Sequence, residues 1–434
     1  MSTSAQKQTG DGDSPNRNHP VATTIFILFT LLLDSIGFGL TVPVLPSLVE
    51  EFVAGGPSNA SYFVGPLLSV SPIALLLCAP LLSRLSDRFG RRTIVLLTLM
   101  GALLDYLIMA NARTLWLLFL ARTISGTCGA ILTVTAAYIA DVAPLAKRTY
   151  YFGLMGAAYG LGLIVGPAVG GLLGELGPHS PFWAAAGVTT VNLICSIFLL
   201  PESLPPSVRR PFQLCGANPL SSLAKLRQSQ LILRGATAFF FYELAGAMTR
   251  AIWVLFVELR LGWTSVQVGA SVAVASILSV LVQGGLTPVV ISRLGDRVAA
   301  VLGLGTNIVA LSLLAFVEYG WELYAALAFG APGWIAGPAI QSVISRSARG
   351  NEQGELQRGL TSLTTLSWIF GPIVAGLTFG YFTSSQTRIF LPGVVFLLAA
   401  LSILSALAAY IGLLVVTYPA HSEEPNLDNV SDVK

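Results

Sequence analysis

The chain has 434 residues, 54% hydrophobic and only 10% charged, with 24 Lys/Arg against 21 Asp/Glu and a formal net charge of +3. An average soluble domain carries roughly 25% charged residues, and a soluble surface of this size cannot be covered with so few. The composition excludes a cytosolic enzyme, a nucleic-acid binder and a disordered scaffold. It describes a polytopic membrane protein.

Residues 1–21 are polar and lack the apolar core of a signal peptide, so they read as a disordered cytoplasmic tail. A crossing needs about 20 mostly apolar residues. The runs between charge and turn clusters predict six in the first half, at 22–47, 62–82, 93–112, 114–140, 151–174 and 181–200. Six more follow at 235–258, 264–292, 299–318, 321–345, 358–381 and 388–417. The expected fold is therefore an all-α membrane protein of twelve helices, with an N-terminal half over 22–200 and a C-terminal half over 235–417. Between them runs a cytoplasmic linker, 201–234, holding Pro201, Pro205, Pro206, Pro211 and Pro219; residues 418–434 form a second tail.

Charge sets the orientation. With both tails inside, 19 Lys/Arg fall on inside segments and three, Arg113, Arg260 and Arg388, fall outside. The remaining two, Arg122 and Arg250, lie within spans. The sequon Asn59-Ala60-Ser61 falls in the first outside loop. Cys78, Cys128 and Cys195 sit in apolar runs and Cys215 in the linker, without metal-ligand spacing, so all four read as free thiols. Neither metal nor cofactor is expected. There is no nucleophile triad or phosphate loop, and His19, His179 and His421 all lie outside the spans, so the chain is not read as an enzyme. The expected partners are a small-molecule substrate, protons and the lipid bilayer, with no nucleic acid and a monomeric working unit.

The two halves echo each other. Arg84-Leu85-Ser86-Asp87-Arg88 returns 209 residues later as Arg293-Leu294-Gly295-Asp296-Arg297. Gly166-Pro167-Ala168-Val169-Gly170 returns after 205 residues as Gly371-Pro372-Ile373-Val374-Ala375-Gly376. Two echoes at nearly one offset indicate an internal duplication, and six-plus-six repeats are the layout of major facilitator transporters.

Three strings carry mechanism. Ser83-Arg84-Leu85-Ser86-Asp87-Arg88-Phe89-Gly90-Arg91-Arg92 is a short turn with one acid and several cations, able to pair in one conformation and part in another. It resembles the major facilitator signature G-x-L-S-D-R-x-G-R-R, with Ser83 at the opening glycine; the resemblance implies that Asp87 and Arg91 latch the outward-facing state. Helix 5 carries Gly153-x8-Gly162-x3-Gly166-Pro167-x2-Gly170-Gly171, a smooth face for close helix approach with a pliable proline. Its spacing matches the signature of the superfamily's antiporters and so favours export. Helix 4 carries Arg122-x3-Gly126-x2-Gly129, and an arginine mid-span is expected to face a polar cavity or a carboxylate.

The match then narrows. Leu33-Asp34-Ser35-Ile36-Gly37-Phe38-Gly39 and the run on to Pro46 resemble helix 1 of the tetracycline/proton antiporters. Asp105-Tyr106, the run Ala137–Asp141, Gly177–Phe182, Leu199–Ser203, Asn218–Leu220 and Gln353–Gln357 resemble other parts of that family. Its helix-8 histidine and helix-9 aspartate correspond to Ser279 and Asn307, and a helix-2 glutamine to Leu75, which argues against tetracycline itself as the substrate.

Helix 7 instead holds Glu243 and Arg250, seven residues apart, on one face and separated by about 10 Å. A carboxylate in such surroundings is suited to binding and releasing a proton. The reading is a proton-coupled efflux transporter of the cell membrane, exporting a drug or secondary metabolite by alternating access. Asp34, Asp105 and Glu243 are the candidate proton carriers. Arg122 and Arg250 are candidate charge partners, and Gln283 and Gln341 match polar family positions for substrate. The alternative is an exporter of an organic acid, such as a dicarboxylate, clamped by the two arginines.

Overall fold

Inside a bilayer every backbone N–H and C=O must be satisfied within the protein, so long apolar runs fold as helices. The computed structural model describes residues 20–204, 207, 209, 226–347 and 353–417, and among these residues there is no strand. Expectations for the tails, Cys215 and Asn218–Leu220 lie outside the described residues.

The first half comprises α1 (Pro20–Thr41), α2 (Leu45–Glu50), α3 (Gly56–Phe89) and α4 (Arg91–Ala110). It continues with α5 (Leu115–Cys128), α6 (Ile131–Val142), α7 (Arg148–Gly174) and α8 (Ser180–Leu199). The second half opens with α9 (Gln230–Leu261), which starts five residues inside the segment read as linker. Then come α10 (Ser265–Leu281), a π-helical turn (Val282–Leu286), α11 (Thr287–Leu314) and α12 (Gly320–Gly330). A 3-10 segment (Ala331–Ile335), α13 (Ala336–Ser347), α14 (Gln353–Thr383) and α15 (Val394–Thr417) complete it.

Among the described residues eleven stretches are long and apolar enough to cross a membrane, rather than twelve, because Ser265–Leu314 runs on for 50 residues across the two predicted spans 264–292 and 299–318. The helix is interrupted there at one residue, Gly295, with φ 77° and ψ 158°. Helix α3 is also longer than its predicted span: its 34 residues reach about 51 Å, with Pro66, Pro72 and Pro80 inside it. Two predicted spans are broken midway. The first break follows Cys128 at Gly129; the second is the 3-10 segment containing Pro332 and Gly333. Glycine and proline at these points remove the local preference for α-helix.

Helix α7 lies between α1 and α10, and its glycines make both contacts possible. A Cβ at Gly162, Gly166 or Gly170 would sit 2.5 Å from Ser35 Cβ, 2.6 Å from Gly39 Cα or 2.2 Å from the Leu40 carbonyl, all on α1. One at Gly171 would meet the Ser265 carbonyl of α10 at 2.4 Å. In the second half the core fills with aromatic and aliphatic side chains; Phe256 of α9 packs edge-on against Phe396 of α15 at 4.7 Å.

The predicted turn Ser83–Arg92 is a corner of a single residue. Helix α3 runs through Phe89, Gly90 takes φ 102° and ψ 155°, and α4 begins at Arg91. A Cβ at Gly90 would also stand 2.0 Å from the Glu202 carboxylate. Gly90→Ala is expected to cost about 1–3 kcal/mol of stability, read as a lower melting temperature in detergent.

Candidate functional site: charged residues between two helical halves

At the Gly90 corner, Arg91 collects acids from three places. Its guanidinium pairs with Asp87 at 2.7 Å and with Asp141 of α6 at 3.1 Å. Its backbone N–H donates to Glu202 at 2.8 Å. Arg88 stacks over the Phe89 ring at 5.1 Å, and Arg92 donates to the Ile197 carbonyl. Asp87, Gly90 and Arg91 thus come together as one unit, joined by Asp141 and Glu202, whose part no spacing in the sequence reveals. In the second half the buried Asp296 pairs with Arg346 of α13 at 2.8 Å. The duplication keeps the acid but moves the corner, from Gly90 beyond Asp87 to Gly295 just before Asp296.

Deeper in the first half, Arg122 of α5 forms an ion pair with Asp105 of α4. Both are buried, Asp105 to 1% and Arg122 to 6% exposure. The Arg122 carbonyl accepts from Ser71 of α3 at 2.8 Å, and its guanidinium also reaches the Met109 sulfur at 3.0 Å. Gly126, one turn on, lets α5 approach α3 so closely that a Cβ would meet the Ser71 carbonyl at 2.3 Å. Their mutual attraction offsets part of the cost of taking both charges out of water. Arg122, read as a substrate or charge partner, and Asp105, read as a proton carrier, are thus paired with each other here.

Asp34, Glu243 and Arg250 lie on helices of the two halves, α1 and α9. Asp34 is half-buried on α1, in electrostatic reach of Tyr106 of α4 and Tyr159 of α7. Tyr159 also reaches Arg250 of α9, in the opposite half. The Arg250 guanidinium lies over the Trp368 ring of α14 at 5.0 Å, a cation–π contact. Glu243, two turns earlier on α9, acts electrostatically on Arg250. Glu243 and Arg250 form no direct ion pair among the described residues. Tyr242, next along α9, packs on Gly337 of α13 and acts electrostatically on both.

The two glutamines stand differently. Gln283 is exposed on the π-helical turn and donates to Ser279 at 2.6 Å, along its own helix. Gln341 is half-buried on α13. No motif marks Tyr159 or Trp368 in the sequence. The available signal was an aromatic with a polar edge in mid-span, a group that finds a partner when buried.

The halves close on each other at one end and part at the other. On α3 and α14, Ser58 donates to the Thr383 carbonyl at 2.9 Å and Ser69 to the Ile369 carbonyl at 2.7 Å. On α7 and α10, Gly171 meets Ser265 closely; at Gly160 the nearest atom to a Cβ is Val280 Cγ2 at 3.4 Å; at Gly156 and Gly153 nothing lies within 4 Å. Gly284 and Gly285 on the π-helical turn are equally open. At the closed end Ser47 of α2 donates to Glu258 of α9 at 3.2 Å, and burial pushes the neighbouring Glu50 carboxyl above its ordinary value.

Apolar helices long enough to cross a bilayer, with charged side chains buried among them, define a multi-pass protein of the cell membrane. The Major Facilitator Superfamily model matches residues 27–358, and the chain belongs to that family. The chain is 40% identical over 363 residues to the tetracycline resistance protein, class C, of Escherichia coli, covering 84% of this chain and 90% of that protein. It is 36% identical over 361 residues to the class H protein of Pasteurella multocida, covering 82% and 89%. Among solved structures, the human organic anion transporter MFSD10 (TETRAN) superposes with a TM-score of 0.67 at 21% identity, covering 92% of this chain and all of that one, a likeness of fold.

Proposed function

We propose that the chain is a proton-coupled antiporter that exports a small organic molecule by alternating access, with Asp34, Tyr159, Glu243, Trp368 and Arg250 forming the central site. The observation that carries this reading is Tyr159, which interacts electrostatically with Asp34 in its own half and with Arg250 in the other. A site shared between halves that part at one end and close at the other is what alternating access requires. The relatives are named for tetracycline resistance, which supports a drug-like cargo. Ser279, Asn307 and Leu75 argue against tetracycline itself.

The 50-residue stretch Ser265–Leu314 makes two crossings in this reading. As one straight helix it would measure about 75 Å against a hydrocarbon core of about 30 Å, and Gly295 is flanked by Arg293, Asp296 and Arg297. That gives twelve crossings with both ends cytoplasmic, in line with the distribution of Lys and Arg. The closed end is then external, and the structure is an inward-facing form. Asp34 and Glu243 carry protons inward, while Asp105 and Arg122 act as a fixed pair and Arg250 serves as the cation of the crevice. The protein works as a monomer.

Export assays with a panel of drugs and organic acids in proteoliposomes test the cargo class. Arg250→Ala is expected to lower drug export at least about tenfold, the effect of losing one charged contact of about 1.4 kcal/mol or more. A loss confined to organic acids, with drug export intact, contradicts the drug reading.

A further inference from the structure

The neighbours of Trp368 on α14 fix the direction in which it faces. Ser367 donates to the Phe240 carbonyl of α9 at 3.2 Å, and the Ile369 carbonyl accepts from Ser69 of α3, in the other half. Trp368 lies on the face between them. Gln357, Thr361 and Thr365, in steps of four and three residues before it, share that face, whereas the exposed apolar Phe370 and Leu377 stand on the opposite one. A polar stripe therefore leads from the open end, between the halves, to the Trp368 ring.

At the head of that stripe the exposed Arg250 holds its guanidinium 5.0 Å from the centre of the ring. Gly246, one turn earlier on α9, leaves the room it fills: a Cβ there would stand 3.2 Å from Nη1. Arg122 has Asp105, but the Arg250 fork has neither a hydrogen bond nor an ion pair among the described residues. We propose that Gly246, Arg250 and Trp368 form a subsite for a planar aromatic substrate bearing an acidic group. This rests on the proposed central site and names the chemical class of its cargo. An intramembrane arginine without a carboxylate beside it is suited to an anion brought by a ligand, and the planar fork matches a carboxylate with two parallel bonds. Trp368 is 40% exposed, which leaves indole surface for the ring of the ligand. A cationic drug meets the charge of Arg250; an aliphatic acid engages the fork alone, and a neutral aromatic the indole alone. Full affinity needs both.

The test is binding to the full chain in detergent, read by the fluorescence anisotropy of anthracene-2-carboxylate and of its neutral carboxamide, with adipate as an aliphatic competitor. The aromatic acid is expected to bind at least about tenfold more tightly than the carboxamide, and adipate to compete more weakly than the aromatic acid. Arg250→Gln should bring acid and carboxamide to within about twofold of each other while carboxamide binding persists, which shows the site intact. Arg250→Lys, which keeps the charge without the fork, should recover part of the preference. Trp368→Leu should weaken acid and carboxamide alike, by about 2- to 10-fold. A preference for the acid that survives Arg250→Gln, binding untouched by Trp368→Leu, or adipate binding as tightly as the aromatic acid overturns the proposal. If the acid binds as expected but an imposed pH gradient does not move it in proteoliposomes, the antiport reading fails and the subsite stands, so the two failures are told apart.

Discussion

Arg122→Ala is expected to destabilise the protein by about 3–5 kcal/mol, because it leaves the buried Asp105 carboxylate without its cation. The geometry leaves little room for relief. Asp105 is 1% exposed, its Oδ1 already lacks a hydrogen-bond partner, and Arg122 fills the space between α4 and α5. Removing both charges together should hurt far less: Arg122→Met with Asp105→Leu keeps volume and removes the need for pairing, and is expected to recover most of the loss. Melting of the three proteins in detergent checks this. A single variant that melts with the wild type would show that the pair is not a structural anchor.

Gly65→Val is expected to act on conformation rather than on folding. A Cβ at Gly65 would stand 2.4 Å from the Pro372 carbonyl on α14, so a branched side chain cannot be accommodated at the closed end. Overpacking of this kind costs typically about 1–3 kcal/mol, here charged only to the conformation in which α3 and α14 touch, which shifts the equilibrium ratio against that conformation by about 5- to 150-fold. The paired substitutions Ser58→Cys and Thr383→Cys report the closure, since Ser58 already bonds the Thr383 carbonyl at 2.9 Å. Their cross-linking should fall in Gly65→Val. It should persist in Gly153→Val, because nothing lies within 4 Å of a Cβ there. In the alternating-access account Gly153→Val nonetheless slows transport, since the open seam of α7 must close in the other conformation.

How far the sequence reaches is visible in these same residues. Apolar runs located the helices, and the glycine spacing of α7 foretold a face for close approach, which the structure divides between α1 and α10. Asp105 and Arg122 were each singled out, yet their pairing was not legible, because periodicity fixes the faces of one helix and not the register between two. The same limit hid Trp368, on α14, from Arg250, on α9. The breaks at Gly129 and Pro332 follow from residue type. The π-helical turn at Val282–Leu286 has no such signature beyond Gly284-Gly285, and it is there that Gln283 turns to Ser279. The string Arg293–Arg297 reads as a loop by its charge, whereas the structure bends the chain at Gly295 alone, one positive-φ glycine sufficing to redirect a helix.

The central claim, that protons moving through Asp34 drive export at a site shared by the two halves, is tested most directly with Asp34→Asn in proteoliposomes under an imposed pH gradient. The account predicts that this variant loses pH-driven substrate movement yet keeps exchange of substrate for substrate, which needs rocking of the halves but no net proton transfer. pH-driven transport that proceeds in Asp34→Asn at the wild-type rate and with the wild-type pH dependence would contradict it.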